Sequence, residues 1–425
     1  MKLDPTPEQA FFAGTTREFL AGKVPASLLR ELRGDQAGFG RDFWRQGADL
    51  GWTSLLVAEA DGGGTISGQG LCDLALVAFE FGRHAAPGPL VAANVVTAAV
   101  ARSGTAEQKA ELLPGLLTGA RIGSWAYAEP RPSERLGAVG LRARRAGGHY
   151  LLTGHKAPVE AAGQADLFLV TARLAADGED GGTGGDGTGR DRTGRGGTGR
   201  GGTGGDRTGR GGTGRGDSSE GLVQFLVHAD TPGVTVRPMR TLDITRRYGH
   251  VAFADAAIPA SAVLGEPGAA DVDVERQLQI ALVIQLAEMA GTMDRGLELT
   301  TEWLFNRYSF GRPLASYQAL KHRFADMRAW LEAASAMADA AAQHVQDESS
   351  RAGEYVSAGK AFLGSCALEV LQECVQFHGG IGVTFEHDLH LYLRRATVDS
   401  QLYGTVADHR ERLASILEGR EQVHG

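Results

Sequence analysis

The chain has 425 residues, 42% of them hydrophobic, and a formal net charge of −8 at pH 7. That length predicts two or three domains, and that composition a normal core. The acidic balance argues against nucleic acid or an anionic membrane as a partner, and no uninterrupted apolar run is long enough to span a bilayer. The first residues, MKLDPTPEQAFFAG, lack the basic start and apolar run of a leader. Cys72, Cys366 and Cys374 lie in apolar, helix-like stretches and form no CxxC pair. Buried thiols in a reducing cytoplasm are the expectation.

From Thr6 to about Gly119 the pattern is helical. TPEQAFFAGTTREFLAG carries Phe11, Phe12 and Phe19 at spacings that fit one face. FWRQGADLGWTSLLVAEADGGG reads as helix, turn, short extended run and Gly-rich loop. Thr105 followed by Gln108 predicts a capped helix start. Residues 1–120 form the first predicted domain.

Near Arg121 the texture changes to short alternating runs between turn residues, among them DLFLVTARL, GLVQFLVHAD and GHVAFADAAIPASAVLG. These predict a mostly antiparallel β domain over residues 121–266. An insert at 178–219 interrupts it. Within it, Gly181 to Asp217 repeats Thr-Gly-Arg units, with Arg190, Arg195, Arg200, Arg210 and Arg215, and has almost no apolar residue. Such a segment cannot offset its ordering entropy and is expected to be disordered. An RNA tether is one reading. An expanded hairpin loop is favoured, since long surface insertions add little closure entropy. Residues 267–425 return to long amphipathic helices.

Two stretches in this last region carry chemistry. NRYSFGRPLASYQALKHRFADM joins two helices through Arg307. QECVQFHGGIGVTFEHDLHLYLRRA sets Gly379 and Gly380 at a helix end, where backbone can approach a ligand closely. Together they could hold a pyrophosphate; helix punctuation is the plainer reading. His378, beside the glycines, could touch a cofactor; a structural role is favoured. His387, Asp388 and His390 match no standard zinc spacing, so no metal is expected. Arg246 and Arg247 suit an exposed turn or a contact to phosphate.

These segments, with GWTSLLVAEADGGG, GTAEQKAELLPGLLTGARIGSWAYAEP and TRRYGHVAFADAAIPASAVLG, resemble the acyl-CoA dehydrogenase family in order and spacing over nearly the whole chain outside the insert. The resemblance implies an α+β fold: N-terminal helices, a middle antiparallel β domain and a C-terminal four-helix bundle that mediates oligomerisation. It implies FAD as cofactor and an acyl-CoA thioester desaturated between its α and β carbons, within fatty acid or lipid metabolism. It also implies a dimer or tetramer with a homologous subunit, and an electron-accepting flavoprotein. In family dimers one subunit surrounds the flavin ring with β-domain loops and the other holds the ADP half. Arg307, Ser309, Phe310, Gln376, Gly379 and Gly380 match that second half, and Thr405 matches the Thr after the family's catalytic turn.

The ring half departs from the family. AEPRPSERLG keeps Glu129 and Pro130 but has Arg131 and Pro132 where a Gly- and Ser-rich loop is usual, and Pro132 has no N–H to donate. Where a Trp-Ile-Thr-like triplet is usual, Ala157, Pro158 and Val159 stand. The family's catalytic Glu precedes the Gly-Thr, where this chain has Tyr403, or lies on the long helix, where it has Ala281. Three readings follow. Tyr403 is the base, against its ordinary pKa near 10. Glu288, seven residues past Ala281, is the base, although seven residues rise roughly 10 Å. Or the subunit has no base and a homologous partner carries the Glu, which is the reading favoured. The alternatives are a non-catalytic assembly subunit and a flavin-dependent monooxygenase on the same scaffold.

Overall fold

The computed structural model describes residues 5–130, 138–175 and 221–424. The expectations for the insert, and for Arg131 and Pro132, fall outside those residues. The first region is helical: α1 (Pro7–Lys23), α2 (Ala26–Glu31), α3 (Arg41–Asp49), α4 (Gly70–Arg83), α5 (Leu90–Ser103) and α6 (Ala106–Leu117). Capping boxes start two of them. Thr6 pairs with Gln9 at α1, and Thr105 with Gln108 at α6, each side chain satisfying the other residue's backbone N–H. The three phenylalanines of α1 do not share a buried face: Phe12 is buried, Phe19 packs partly on the core, and Phe11 is 77% exposed. Adjacent helix residues point about 100° apart, so Phe11 and Phe12 cannot both face inward. The extended run expected at Ser54–Val57 is a series of turns.

An eight-stranded sheet follows. Its strands are β1 (Gly123–Ala126), β2 (Arg142–Ala146), β3 (His149–Glu160), β4 (Leu167–Leu174), β5 (Leu222–His228), β6 (Val234–Met239), β7 (Tyr248–Pro259) and β8 (Val263–Leu264). The order is β6-β7-β3-β2-β4-β5-β8, with β1 paired to β4. Pairing is antiparallel except that β1 and β2 both run parallel to β4. The strands flanking the insert form one antiparallel pair, with Arg173 opposite Leu222.

The C-terminal region holds α7 (Asp271–Asn306), a short hairpin of β9 (Tyr308–Ser309) and β10 (Arg312–Pro313), then α8 (Gln318–Gln346), α9 (Ala352–His378), α10 (Leu389–Asp399) and α11 (Val406–His424). The first and last regions meet where α4 crosses α7. A Cβ on Gly82 would lie 2.0 Å from the Glu288 carbonyl oxygen, and one on Gly291 would lie 2.0 Å from that of Phe79. Glycine on both helices lets the backbones touch. This crossing sets Glu288 deep inside the molecule, facing the sheet. All three cysteines are buried and none is in a disulfide. Among the described residues no helix is long and apolar enough to cross a membrane.

Candidate active site

The turn between α10 and α11 carries Tyr403 in a left-handed backbone conformation (φ 59°). Three groups hold it. Lys360 of α9, fully buried, donates from Nζ to the Leu402 carbonyl at 2.8 Å and also to the carbonyl of Asp399 and the side chain of Gln285. His409 Nε2 donates to the Tyr403 carbonyl at 3.0 Å, while its Nδ1 accepts from the Ser357 hydroxyl at 3.2 Å. Thr405 caps α11: its hydroxyl and its N–H both donate to Asp408 Oδ2 at 2.7 Å. Its hydroxyl is therefore engaged within the chain.

The Tyr403 ring lies on Trp125 at 5.7 Å between centroids, and Trp125 lies on Tyr127 at 4.7 Å with only 8° between planes. This three-ring stack joins the Tyr403 turn to the end of β1. Burial, and then the nearby charge of Glu160, push the Tyr403 phenol well above its ordinary pKa. That makes it a worse proton acceptor than a free tyrosine.

Around the turn lies a buried cluster of charges. Arg246 pairs with Glu288, with Asp399 at 3.2 Å and with Glu160 at 3.7 Å. Arg395 pairs with Asp243 at 3.1 Å and with Glu288 at 3.3 Å. Burial pushes Glu160 up, against Arg246, and pushes Asp399 up to about 7. Burial acts on Asp243 the same way, but Arg395 and Arg246 outweigh it and hold that carboxyl low. Glu160 Oε2 accepts from the Ala92 N–H at 3.0 Å, in the first turn of α5. The cluster thus ties β3, the approach to β7, α5, α7 and α10 together.

Glu288 is fully buried and its Oε1 is engaged by Arg246 and Arg395, while its Oε2 has no hydrogen-bond partner. One expectation needs correction here. Arg246 is not an exposed turn residue but 3% exposed, and Arg247 donates to the carbonyls of Leu32, Asp35 and Ile244, which pins the loop before α3. Ala281 is buried on α7 with no carboxylate to offer. Glu129 turns inward to buried Lys156 at 2.7 Å and to the N–H groups of Gly140 and Leu141, and Lys156 outweighs burial to hold its carboxyl low. Ala157 donates to the Ala128 carbonyl, and Val159 is buried.

The other predicted residues gather at one end of the helical region. Arg307 is exposed, its guanidinium 5.8 Å from the Trp303 ring. Trp303 stacks on His378 at 5.1 Å and donates to the Phe377 carbonyl at 3.2 Å, so the ends of α7 and α9 are joined beside Gly379 (φ 62°) and Gly380. Gln376 is exposed, Ser309 half-buried, and Phe310 96% exposed at φ 50°. His378 donates from Nδ1 to the Cys374 carbonyl at 2.7 Å, and its Nε2 is buried without a hydrogen-bond partner. Asp388 is bound to Arg30, and no group of three or more metal-ligating side chains occurs among the described residues.

Glu160, Asp399, Arg395, Lys360, His409 and Trp125 went unread in the sequence. One signal was available: Glu288 and Lys360 are single charges inside long apolar helical runs. Such a charge is rarely buried unless paired.

His409 gives a pH test. Burial lowers its pKa from 6.5 to about 4. A depressed histidine contributes stability that is present above pH 6.5 and is lost as pH falls through 4. A difference of that size between the folded and unfolded chain corresponds to about 3 kcal/mol. His409→Gln is expected to flatten the fall in unfolding free energy between pH 6.5 and 4. An unchanged pH slope would assign acid lability elsewhere.

The description "Acyl-CoA dehydrogenase, N-terminal domain" matches residues 6–120, and "Acyl-CoA dehydrogenase, C-terminal domain" matches residues 273–418. The chain is 25% identical over 414 residues to acyl-CoA dehydrogenase IpdE2 of Mycobacterium tuberculosis, covering 97% of this chain and 98% of that one. It superposes on a variant of a Tcur3481-Tcur3483 steroid ACAD with a TM-score of 0.78 at 26% identity, covering 97% and 99%. It superposes on a glutaryl-CoA dehydrogenase from Mycobacterium smegmatis in complex with FADH2 with a TM-score of 0.77 at 21% identity, covering 98% and 95%. Helical ends flanking a β sheet, with matching N- and C-terminal domains, place the chain in the acyl-CoA dehydrogenase family.

Proposed function

We propose that this chain is one subunit of an FAD-dependent acyl-CoA dehydrogenase, and that a homologous partner carries the carboxylate that takes the α-proton. The Tyr403 turn carries this reading. A phenol with a raised pKa, stacked on Trp125, stands where a base is needed, and Glu288 is engaged by Arg246 and Arg395. The name of one similar structure joins two chains, Tcur3481 and Tcur3483, which suits a mixed assembly.

The exposed end around Arg307 fits the ADP half of FAD. A guanidinium offers a bidentate contact to a pyrophosphate, and exposed Gly379 and Gly380 leave room for close approach. Gln376, Ser309 and Phe310 flank them. The side formed by β1 fits the flavin ring poorly, since the Trp125 ring lies on Tyr403 and Tyr127 backs Trp125. The arginine end of this chain therefore serves a ring held by the partner. FAD, when bound, accepts the hydride from the β-carbon. This chain's residues bind its phosphates and close off one side of the chamber. An electron-accepting flavoprotein would be the partner that takes the electrons onward. A non-catalytic assembly role is the second reading, favoured by the same ring stack.

Purification from the native host tests the proposal. A second, homologous chain with Glu directly before its Gly-Thr is expected; full turnover by this chain alone would overturn it. Arg307→Lys replaces a planar fork by a point charge. It is expected to weaken flavin binding by the assembly about tenfold. Unchanged flavin affinity would remove the central cofactor contact.

A further inference from the structure

A cleft of about 290 Å³ lies away from the Tyr403 turn, between the loop after α3, the start of α4, the second half of α5 and the first turns of α7. Its floor is apolar, with Leu55, Val57, Leu71 and Ile280. Its mouth is charged. Glu348, in the turn between α8 and α9, reaches across it. One carboxylate oxygen lies 2.6 Å from Arg102 Nη1 and the other 3.3 Å from Arg102 Nη2, with Arg276 at 3.9 Å. Asp273 stands 3.9 Å from Arg102 on the far side.

Glu348 follows the end of α8 in a left-handed conformation (φ 46°), with its N–H on the Val345 carbonyl and the Ser349 N–H on the His344 carbonyl, an ordinary helix ending. The side chain that it presents is half-exposed, so little of its contact with Arg102 is sheltered from water. An exposed pair of this kind is open to competition from anions in solution. The chain's own carboxylate thus binds Arg102, with Arg276 at 3.9 Å, at the mouth of an apolar cavity, in the place that the carboxylate of a ligand would take.

We propose that this cleft binds a small amphipathic carboxylate, with its apolar tail on Leu55, Val57, Leu71 and Ile280 and its carboxylate on Arg102 and Arg276 in exchange for Glu348. The cleft of about 290 Å³ has room for a short aliphatic tail. Once Glu348 swings out, the mouth has two arginines against Asp273 and attracts an anion. Two sources share this chemistry: a free carboxylic acid, and a distal carboxylate on an acyl thioester.

The inference concerns binding alone and stands apart from the proposed reaction. Octanoate, octanol and a CoA thioester bearing a distal carboxylate are titrated against the full chain, with melting temperature and calorimetry as readouts. Saturable binding of octanoate, with octanol much weaker, is expected. Glu348→Gln removes the internal competitor and is expected to tighten octanoate severalfold. Arg276→Gln is expected to weaken it about tenfold, the worth of one charge-assisted hydrogen bond. Octanoate binding assigns a free acid, and binding of the thioester alone assigns the far end of an acyl chain. Absence of saturation by either anion overturns the proposal. So does octanol binding as tightly as octanoate, or a folded Glu348→Gln variant with unchanged affinity.

Discussion

Arg246→Met is expected to lower the unfolding free energy by about 3–5 kcal/mol, the usual cost of removing one partner from a buried ion pair. Arg246 is the only cation that touches Glu160 and Asp399 among the ion pairs of the described cluster, and it shares Glu288 with Arg395. Without it three buried carboxyl groups lose their nearest positive charge. They must protonate or draw in water, and either response opposes folding at neutral pH. The measurement is urea unfolding followed by circular dichroism, with the slope checked against the parent. Arg246→Met combined with Glu288→Met tests the cause. If uncompensated charge is the penalty, the double variant recovers part of the loss, because an apolar pair can replace a buried ion pair at little cost. A double variant that simply sums the two losses would make packing, not charge, the function of the cluster.

That cluster also shows where a sequence stops being readable. The capping boxes at Thr6 and Thr105 were legible because donor and acceptor sit three residues apart, so the pattern is the structure. The β hairpin around the insert was legible because two short apolar runs flank it, and β4 and β5 pair as expected. Arg246 meets Glu288 across 42 positions and Asp399 across 153, and nothing local announces either contact. Arg246 next to Arg247 looks like an exposed basic turn, yet the first points into the acids and the second into backbone carbonyls. The family emerged from the order of several weak segments, each short enough to occur by chance. The site did not, because its residues meet only in the fold: Tyr403 lies on Trp125, Trp125 lies on Tyr127, and Glu160 is bound to Ala92 and Arg246.

The second large effect concerns turnover. Alone, the chain is expected to reduce bound flavin on addition of acyl-CoA roughly 10²–10⁴-fold more slowly than the native assembly, which is what a positioned base contributes. Tyr403→Phe in the assembly is expected to leave the rate unchanged. The phenyl ring preserves the stack on Trp125, and the lost hydroxyl is not a usable base. Tyr403→Glu in the isolated chain separates the two readings of this subunit. A carboxylate there lies near Glu160, whose repulsion Arg246 offsets only in part, and it replaces the ring that Trp125 packs on. No gain in single-turnover flavin reduction is therefore expected. A large gain would show that the chain holds flavin and thioester in productive geometry and lacks only the acid. Brisk turnover by the unaltered chain, lost in Tyr403→Phe, would make the tyrosine the base and end the partner reading. Retention of that turnover in Tyr403→Phe with loss in Glu160→Gln would move the base to β3. Glu160 is the carboxylate of the cluster that acts most strongly on the Tyr403 phenol, its Oε1 is buried without a hydrogen-bond partner, and burial has raised its pKa.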